Sequence, residues 1–242
     1  MNPRETASGT GKRYDEGYFS RELHREHWFT NNAAKDSRRW QAVLRMLEPL
    51  CNDRLLEIGC AAGMHTLKLA PRVRQTIGID LAFAGVAIAQ ATARRRHIAN
   101  AAFAVCDAGR LAFADGAFDK VAAIDFVEHV DDDALVGLLR EARRVLAANG
   151  RIAIYTPCAT HYVERLKARG LVLRQIEGHI AVRPPEAYVA LLARAGLVVN
   201  AQWFLPSDYP AFGLVDRMLM KLPGVGRWFR FRICVVATKI AS

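Results

Sequence analysis

Apolar residues fall along this chain in short unbroken runs, separated by longer stretches in which they recur every three or four positions. The runs at Arg54–Ile58, Gln75–Ile79, Ala101–Cys106, Phe118–Ile124 and Arg151–Tyr155 predict buried strands. The intervening stretches predict helices over Met64–Ala70, Ala82–Arg96 and Asp133–Leu146, with Pro71 stopping the first and Asn149-Gly150 forming a turn after the last. An earlier helix, capped at Asp36 or Ser37 and running to about Glu48, carries Trp40, Val43, Leu44 and Leu47 on one face. Strands alternating with helices of this length predict right-handed βαβ units and a parallel sheet.

Beyond Thr156 the rhythm loosens. Helices are expected over His161–Arg169 and from Pro184-Pro185 to Ala195, with Gly196 as cap, and strands over Leu197–Phe204 and Phe231–Thr238. The expected fold is therefore α/β, a Rossmann-like seven-stranded, mostly parallel sheet with helices on both faces. Three segments follow: an N-terminal arm over 1–35, a core over 36–204, and an apolar and basic insert with the last strand over 205–242.

With 242 residues, 52% of them hydrophobic, the chain suits one well-buried domain rather than two. No apolar run is long enough to span a bilayer, and Met1–Tyr14 lacks the apolar core of a secretion signal, so a cytoplasmic location is expected. Five widely spaced cysteines without a CxxC pair argue against a disulfide framework or a structural zinc site. The net charge of +10 admits an anionic partner. Its cations are scattered, however, and the densest run, Arg94-Arg95-Arg96, ends a predicted helix, where it complements the dipole.

The chemistry concentrates at Leu55-Leu56-Glu57-Ile58-Gly59-Cys60-Ala61-Ala62-Gly63, a strand that ends in a glycine-rich turn and opens a helix. Gly59 permits the sharp turn, Gly63 permits a close approach, and the small residues between them keep the loop tight. Amides at a helix start can meet an anionic group. Asp80 ends the second strand, where a carboxylate can accept hydrogen bonds from both hydroxyls of a ribose. Asp107 follows the third strand, placed to accept from an adenine amine while the Ala108 amide meets a ring nitrogen. The spacing departs from the dehydrogenase pattern G-x-G-x-x-G, because the helix opens sooner.

These residues resemble class I S-adenosylmethionine-dependent methyltransferases. Leu55–Gly63 is similar to the family's E/D-x-G-x-G-x-G motif, with Ala61 in place of the middle glycine. Gly78-Ile79-Asp80, Cys106-Asp107-Ala108 and Asp125-Phe126-Val127-Glu128-His129-Val130 resemble its later motifs, the last one that of the small-molecule branch. The resemblance implies S-adenosyl-L-methionine as cofactor, held by Glu57, Gly59, Cys60, Gly63, Asp80, Leu81, Asp107, Ala108 and Asp125. His129, just after the fourth strand, is the first choice for a base that takes a proton from the acceptor, with Glu128 as its partner; the other reading of the pair is that it starts or caps a helix and orients the loop. His161, His179 and Tyr155 compete for that role and are read as structural. Ubiquinone-biosynthesis-type O-methyltransferases, which the chain also resembles, can hold a divalent metal at the positions of Asp125, Glu128 and His129. Aspartate is a shorter arm than the family's glutamate, and no metal is assigned.

The acceptor implied is a small molecule, methylated most simply on oxygen. Tyr14, Tyr18 and Phe19 resemble a segment that folds over the cofactor, with ordinary packing the other reading. In 205–230 the apolar residues Phe212, Leu214, Val215, Met218, Leu219, Leu222, Trp228 and Phe229 mingle with Arg217, Lys221, Arg227 and Arg230. Such a segment either meets a membrane surface or a lipid-like acceptor, or packs on the sheet as a helical hairpin. Against a nucleic-acid substrate, no Asn-Pro-Pro-Tyr-type motif follows the fourth strand. A non-catalytic cofactor-binding partner protein is the other alternative. The oligomeric state stays open.

Overall fold

A computed structural model of the chain describes residues 33–171, 179–208 and 210–240. The proposed lid residues Tyr14, Tyr18 and Phe19 lie outside them, as do Glu177 and Gly178. The apolar runs form seven strands: β1 (Arg54–Ile58), β2 (Gln75–Asp80), β3 (Ala101–Val105), β4 (Phe118–Ile124), β5 (Leu146–Pro157), β6 (Leu197–Leu205) and β7 (Arg232–Lys239). The helices are α1 (Ala33–Leu47), α2 (Met64–Leu69), α3 (Phe83–Arg95), α4 (Asp132–Val145), α5 (Tyr162–Ala168), α6 (Pro185–Arg194) and α7 (Pro210–Leu219). They build one sheet in the order β3-β2-β1-β4-β5-β7-β6. Strands β1 to β5 pair in parallel, and β7 is antiparallel to both β5 and β6.

Alternation along each strand divides the core between two faces. Leu56, Ile58, Val121, Ala123, Ile152, Ile154, Ile233 and Val235 pack with Leu135, Leu139 and Ala142 of α4 and Tyr188, Leu191 and Leu192 of α6. Their neighbours Leu55, Ala122, Ile124, Ala153, Tyr155, Cys234 and Val236 pack with Ala42, Val43, Met46 and Leu47 of α1. Helices therefore cover both faces, as the unbroken apolar runs require of central strands.

Two expectations need correction. Helix α1 spans Ala33–Leu47 among the described residues, so Asp36 and Ser37, expected to cap it, lie inside it. The Asn149-Gly150 turn does not precede the fifth strand but lies inside it: Leu146 already pairs with Phe118, and the register shifts before Arg151 pairs with Lys120. The fourth strand has a partner at that end of the sheet, so pairing extends past the turn.

The segment after β6 is anchored by a buried pair. His161 Nε2 lies 3.2 Å from both carboxylate oxygens of Asp216, and neither side chain is exposed. The Val163 amide donates to His161 Nδ1, which fixes the proton on Nε2, and the Ser207 amide donates to Asp216 Oδ2 at 2.7 Å. Burial holds His161 below its ordinary pKa and outweighs the pull of Asp216, so the ring is neutral and donates. Asp216→Asn leaves one of these donors without an acceptor and is expected to cost about 1–2 kcal/mol. In a thermal melt that is a loss of about 2–8 °C, and an unchanged melt would contradict the anchor.

Candidate active site

Strand β1 ends at Ile58, and the chain turns at Gly59 with φ 75°. A Cβ at Gly59 would stand 2.1 Å from Cδ2 of Phe126, so this turn admits glycine on two counts. The amides of Gly59 and Cys60 both donate to the Ile79 carbonyl at 2.9 Å, which locks the loop to the end of β2. Ala61, in the place of a glycine, also holds a left-handed conformation, with φ 46°. Its amide donates to Asp80 Oδ2 at 2.9 Å, while Oδ1 of the same carboxylate accepts from the Ala82 amide at 2.9 Å. Asp80 thus braces both walls of a cleft and keeps acceptor capacity on both oxygens.

The cleft is a cavity of about 490 Å³ at the carboxyl ends of β1, β2 and β4. Gly59, Ala61, Asp80, Leu81 and Ala82 line one side, Cys106, Asp107, Ala108 and Gly109 one end, and Asp125, Phe126, His129 and Val130 the other. Of the residues singled out from sequence, Gly59, Asp80, Leu81, Asp107, Ala108, Asp125 and His129 meet here. Asp107 Oδ1 accepts from the Gly109 amide at 2.8 Å, which folds this corner inward. Leu81 is 60% exposed at the rim, an apolar face suited to a planar base.

Glu57, Cys60, Gly63 and Glu128 stand behind the lining. Glu57 is buried, accepts a hydrogen bond from Thr66 Oγ1 and faces His65 Nδ1 at 3.4 Å, so it ties the loop to α2. Cys60 is buried beside Val86, Ala89 and Phe103, where burial pushes its thiol pKa strongly up. Gly63 has φ 77°, and a Cβ there would stand 2.7 Å from Ala89 Cβ and from the ring of Phe103. The close approach at Gly63 is helix packing, not the ligand contact expected of it.

At the far end Asp125 adopts φ 49° and receives two arginines, Arg39 from α1 and Arg232 from β7. Burial alone would raise its pKa, but Arg232 and then Arg39 reverse this and hold it below the ordinary carboxylate range. Sequence reasoning missed both arginines. They lie 86 and 107 residues from Asp125, and no local motif marks them.

Glu128 turns away from the cavity. Thr156 Oγ1 donates to its Oε2 at 2.9 Å, and its backbone carbonyl accepts from the amides of Ile180 and Ala181 at 3.0 Å. Burial, with the charge of Asp125 second, raises Glu128 to about 7. That loop brings His179 edge-on to His129, with ring centroids 5.0 Å apart, and burial with His129 second lowers His179 to about 4. Ligand atoms of Glu128, His129 and His179 lie within 4.8 Å of one another. The metal set implied by resemblance does not fit, because both carboxylate oxygens of Asp125 are engaged by Arg39 and Arg232. His179 stands by Glu128 and His129 instead.

A crevice at a sheet's carboxyl edge, with a glycine turn and acids at successive strand ends, defines a nucleotide-cofactor-binding α/β protein. Residues 55–150 match the family described as a methyltransferase domain. The chain is 28% identical over 210 residues to a 27-O-demethylrifamycin SV methyltransferase of Amycolatopsis mediterranei, covering 79% of this chain and 74% of that one. It is 35% identical over 113 residues to a ubiquinone biosynthesis O-methyltransferase of Azorhizobium caulinodans, covering 46% of this chain and 43% of that one. Among solved structures, the YcgJ protein of Bacillus subtilis superposes with a TM-score of 0.64 at 19% identity, covering 85% of this chain and all of that one. Over residues 55–150 the chain carries a methyltransferase domain similar to those of class I S-adenosylmethionine-dependent methyltransferases, and S-adenosylmethionine is the cofactor of that domain.

Proposed function

We propose that the protein methylates a hydroxyl oxygen on a small, lipid-like acceptor. The observation that carries this reading is the single cavity that runs from Asp80 and Asp107 at one end to Asp125 and His129 at the other. In this reading Asp80 accepts from the ribose hydroxyls, and Asp107 with the Ala108 amide meets adenine. Gly59 gives the thioether chain room, and Asp125, paired with Arg39 and Arg232, lines the end of the cavity that receives the amino-acid part of the cofactor. Leu81 covers the base, while Glu57, Cys60 and Gly63 shape the loop from behind.

Bound S-adenosylmethionine supplies a methyl group already made electrophilic by its sulfonium. The protein's work is to place the acceptor oxygen behind that methyl and to keep water out. His129 would take the hydroxyl proton from the acceptor as its oxygen receives the methyl group. Glu128 fixes the His179 loop and through it the ring of His129. Residues 36–204 are the methyltransferase core in this reading, and 205–242 add the last strand and a surface that contacts a membrane at its cytoplasmic side. Among the described residues no helix is long and apolar enough to cross a membrane.

The test is methyl transfer from methyl-labelled S-adenosylmethionine to a panel of phenols, catechols and hydroxylated polyketides. The reading expects label on a hydroxyl oxygen, with one S-adenosylhomocysteine formed per methyl. Label entering only RNA would instead identify a nucleic-acid methyltransferase. Cofactor binding without turnover across the panel would identify a non-catalytic partner protein.

A further inference from the structure

Helix α7 is built inside out. Its residues Leu214, Val215 and Met218 share one face, and that face points to solvent, with Leu214 61% and Met218 67% exposed. The inward side carries Gly213 and the charged Asp216, both buried. A Cβ on Gly213 would strike the Ser207 carbonyl, so the helix backbone lies directly on that strand-end loop. Asp216 is held there by His161 and the Ser207 amide. The orientation is therefore enforced by a buried polar anchor that opposes the hydrophobic preference of the helix.

The exposed apolar surface continues past the helix through Leu222, Val225 and Trp228. Its exposed charges are Arg217, Lys221 and Arg227, all of one sign. The acids in this segment are Asp208, which lies 3.7 Å from Arg38, and the buried Asp216, so neither offsets those cations on the surface. An apolar strip whose own exposed charges, among the described residues of 212–230, are cations matches a layer that is apolar inside and anionic outside. Long basic side chains can lie along such a strip and keep their charges at headgroup level.

We propose that the α7–Trp228 surface docks on the headgroup and upper acyl region of an anionic phospholipid bilayer, inserting Leu214, Met218, Leu222 and Trp228. The proposal rests on the lipid-like acceptor reading and deepens it by naming the surface's partner and its lipid charge. It places the enzyme beside the phase in which such an acceptor dissolves.

The experiment is flotation of the full-length protein with vesicles of phosphatidylcholine alone and of phosphatidylcholine mixed with phosphatidylglycerol. The expected result is partition onto the mixed vesicles that weakens as salt rises. Arg217→Gln with Lys221→Gln should lower that partition roughly thirty-fold, at about a factor of five per basic side chain. Leu214→Ser with Met218→Ser should abolish it. Both variants should bind S-adenosylmethionine with unchanged affinity, measured by calorimetry on the same samples. No partition onto the mixed vesicles, equal partition onto both kinds, or a stable dimer that dissociates in the Leu214→Ser, Met218→Ser variant would each overturn the proposal. Loss of cofactor binding in the wild-type protein would sink the enzymatic reading instead, and the two failures are read on separate instruments.

Discussion

Replacing His129 with alanine is expected to lower kcat by about 10²–10⁴-fold, the range of a lost general base. In the proposed reading the side chain lines the cavity at the end where the acceptor oxygen arrives, beside Asp125, whose two oxygens are taken up by Arg39 and Arg232. The affinity for S-adenosylmethionine should change little, because Asp80 and Asp107 sit at the opposite end. Steady-state kinetics checks this, with cofactor affinity measured separately. A fall confined to kcat locates the contribution in the transition state. An equal loss of cofactor affinity with unchanged kcat would show that His129 only shapes the pocket.

Asp80→Ala should weaken cofactor binding roughly 5–150-fold, the effect of about 1–3 kcal/mol from a lost charged acceptor. Two causes act together here. In the proposed reading the ribose loses its acceptor, and the amides of Ala61 and Ala82 lose theirs. The loop at Ala61 depends on the second contact, because a left-handed alanine persists only where its surroundings hold it. Asp80→Asn keeps an acceptor for the loop but removes the charge, so it should fall between wild type and alanine. Calorimetric titration of the three proteins gives the order, and wild-type affinity in Asp80→Ala would remove the ribose contact from the account.

The parts of this site that sequence made legible are local. Glu57, Gly59 and Gly63 lie within one strand–turn–helix, and Asp80 and Asp107 stand at the ends of short apolar runs that locate the strands. A parallel sheet sends all those ends to one edge, so the residues meet without any knowledge of distant contacts. What stayed hidden depends on long-range assembly. Arg232 reaches Asp125 because β7 inserts antiparallel between β5 and β6, and no spacing in the sequence announces that insertion. Likewise His179 comes to His129 through backbone bonds between Glu128 and the loop at Ile180 and Ala181. Periodicity shows that Leu214 and Met218 share a face of α7. It does not show that the face is turned outward, because that choice lies with the pairing of Asp216 and His161.

The most direct measurement is a crystal structure of the protein grown with S-adenosylhomocysteine. Ribose hydroxyls within hydrogen-bond reach of the Asp80 carboxylate, adenine between Leu81 and Ala108, and the amino-acid end over Gly59 toward Asp125 are the predicted result. A ligand seated away from the bend at Gly59, or crystals in which saturating ligand leaves that crevice vacant, would contradict it.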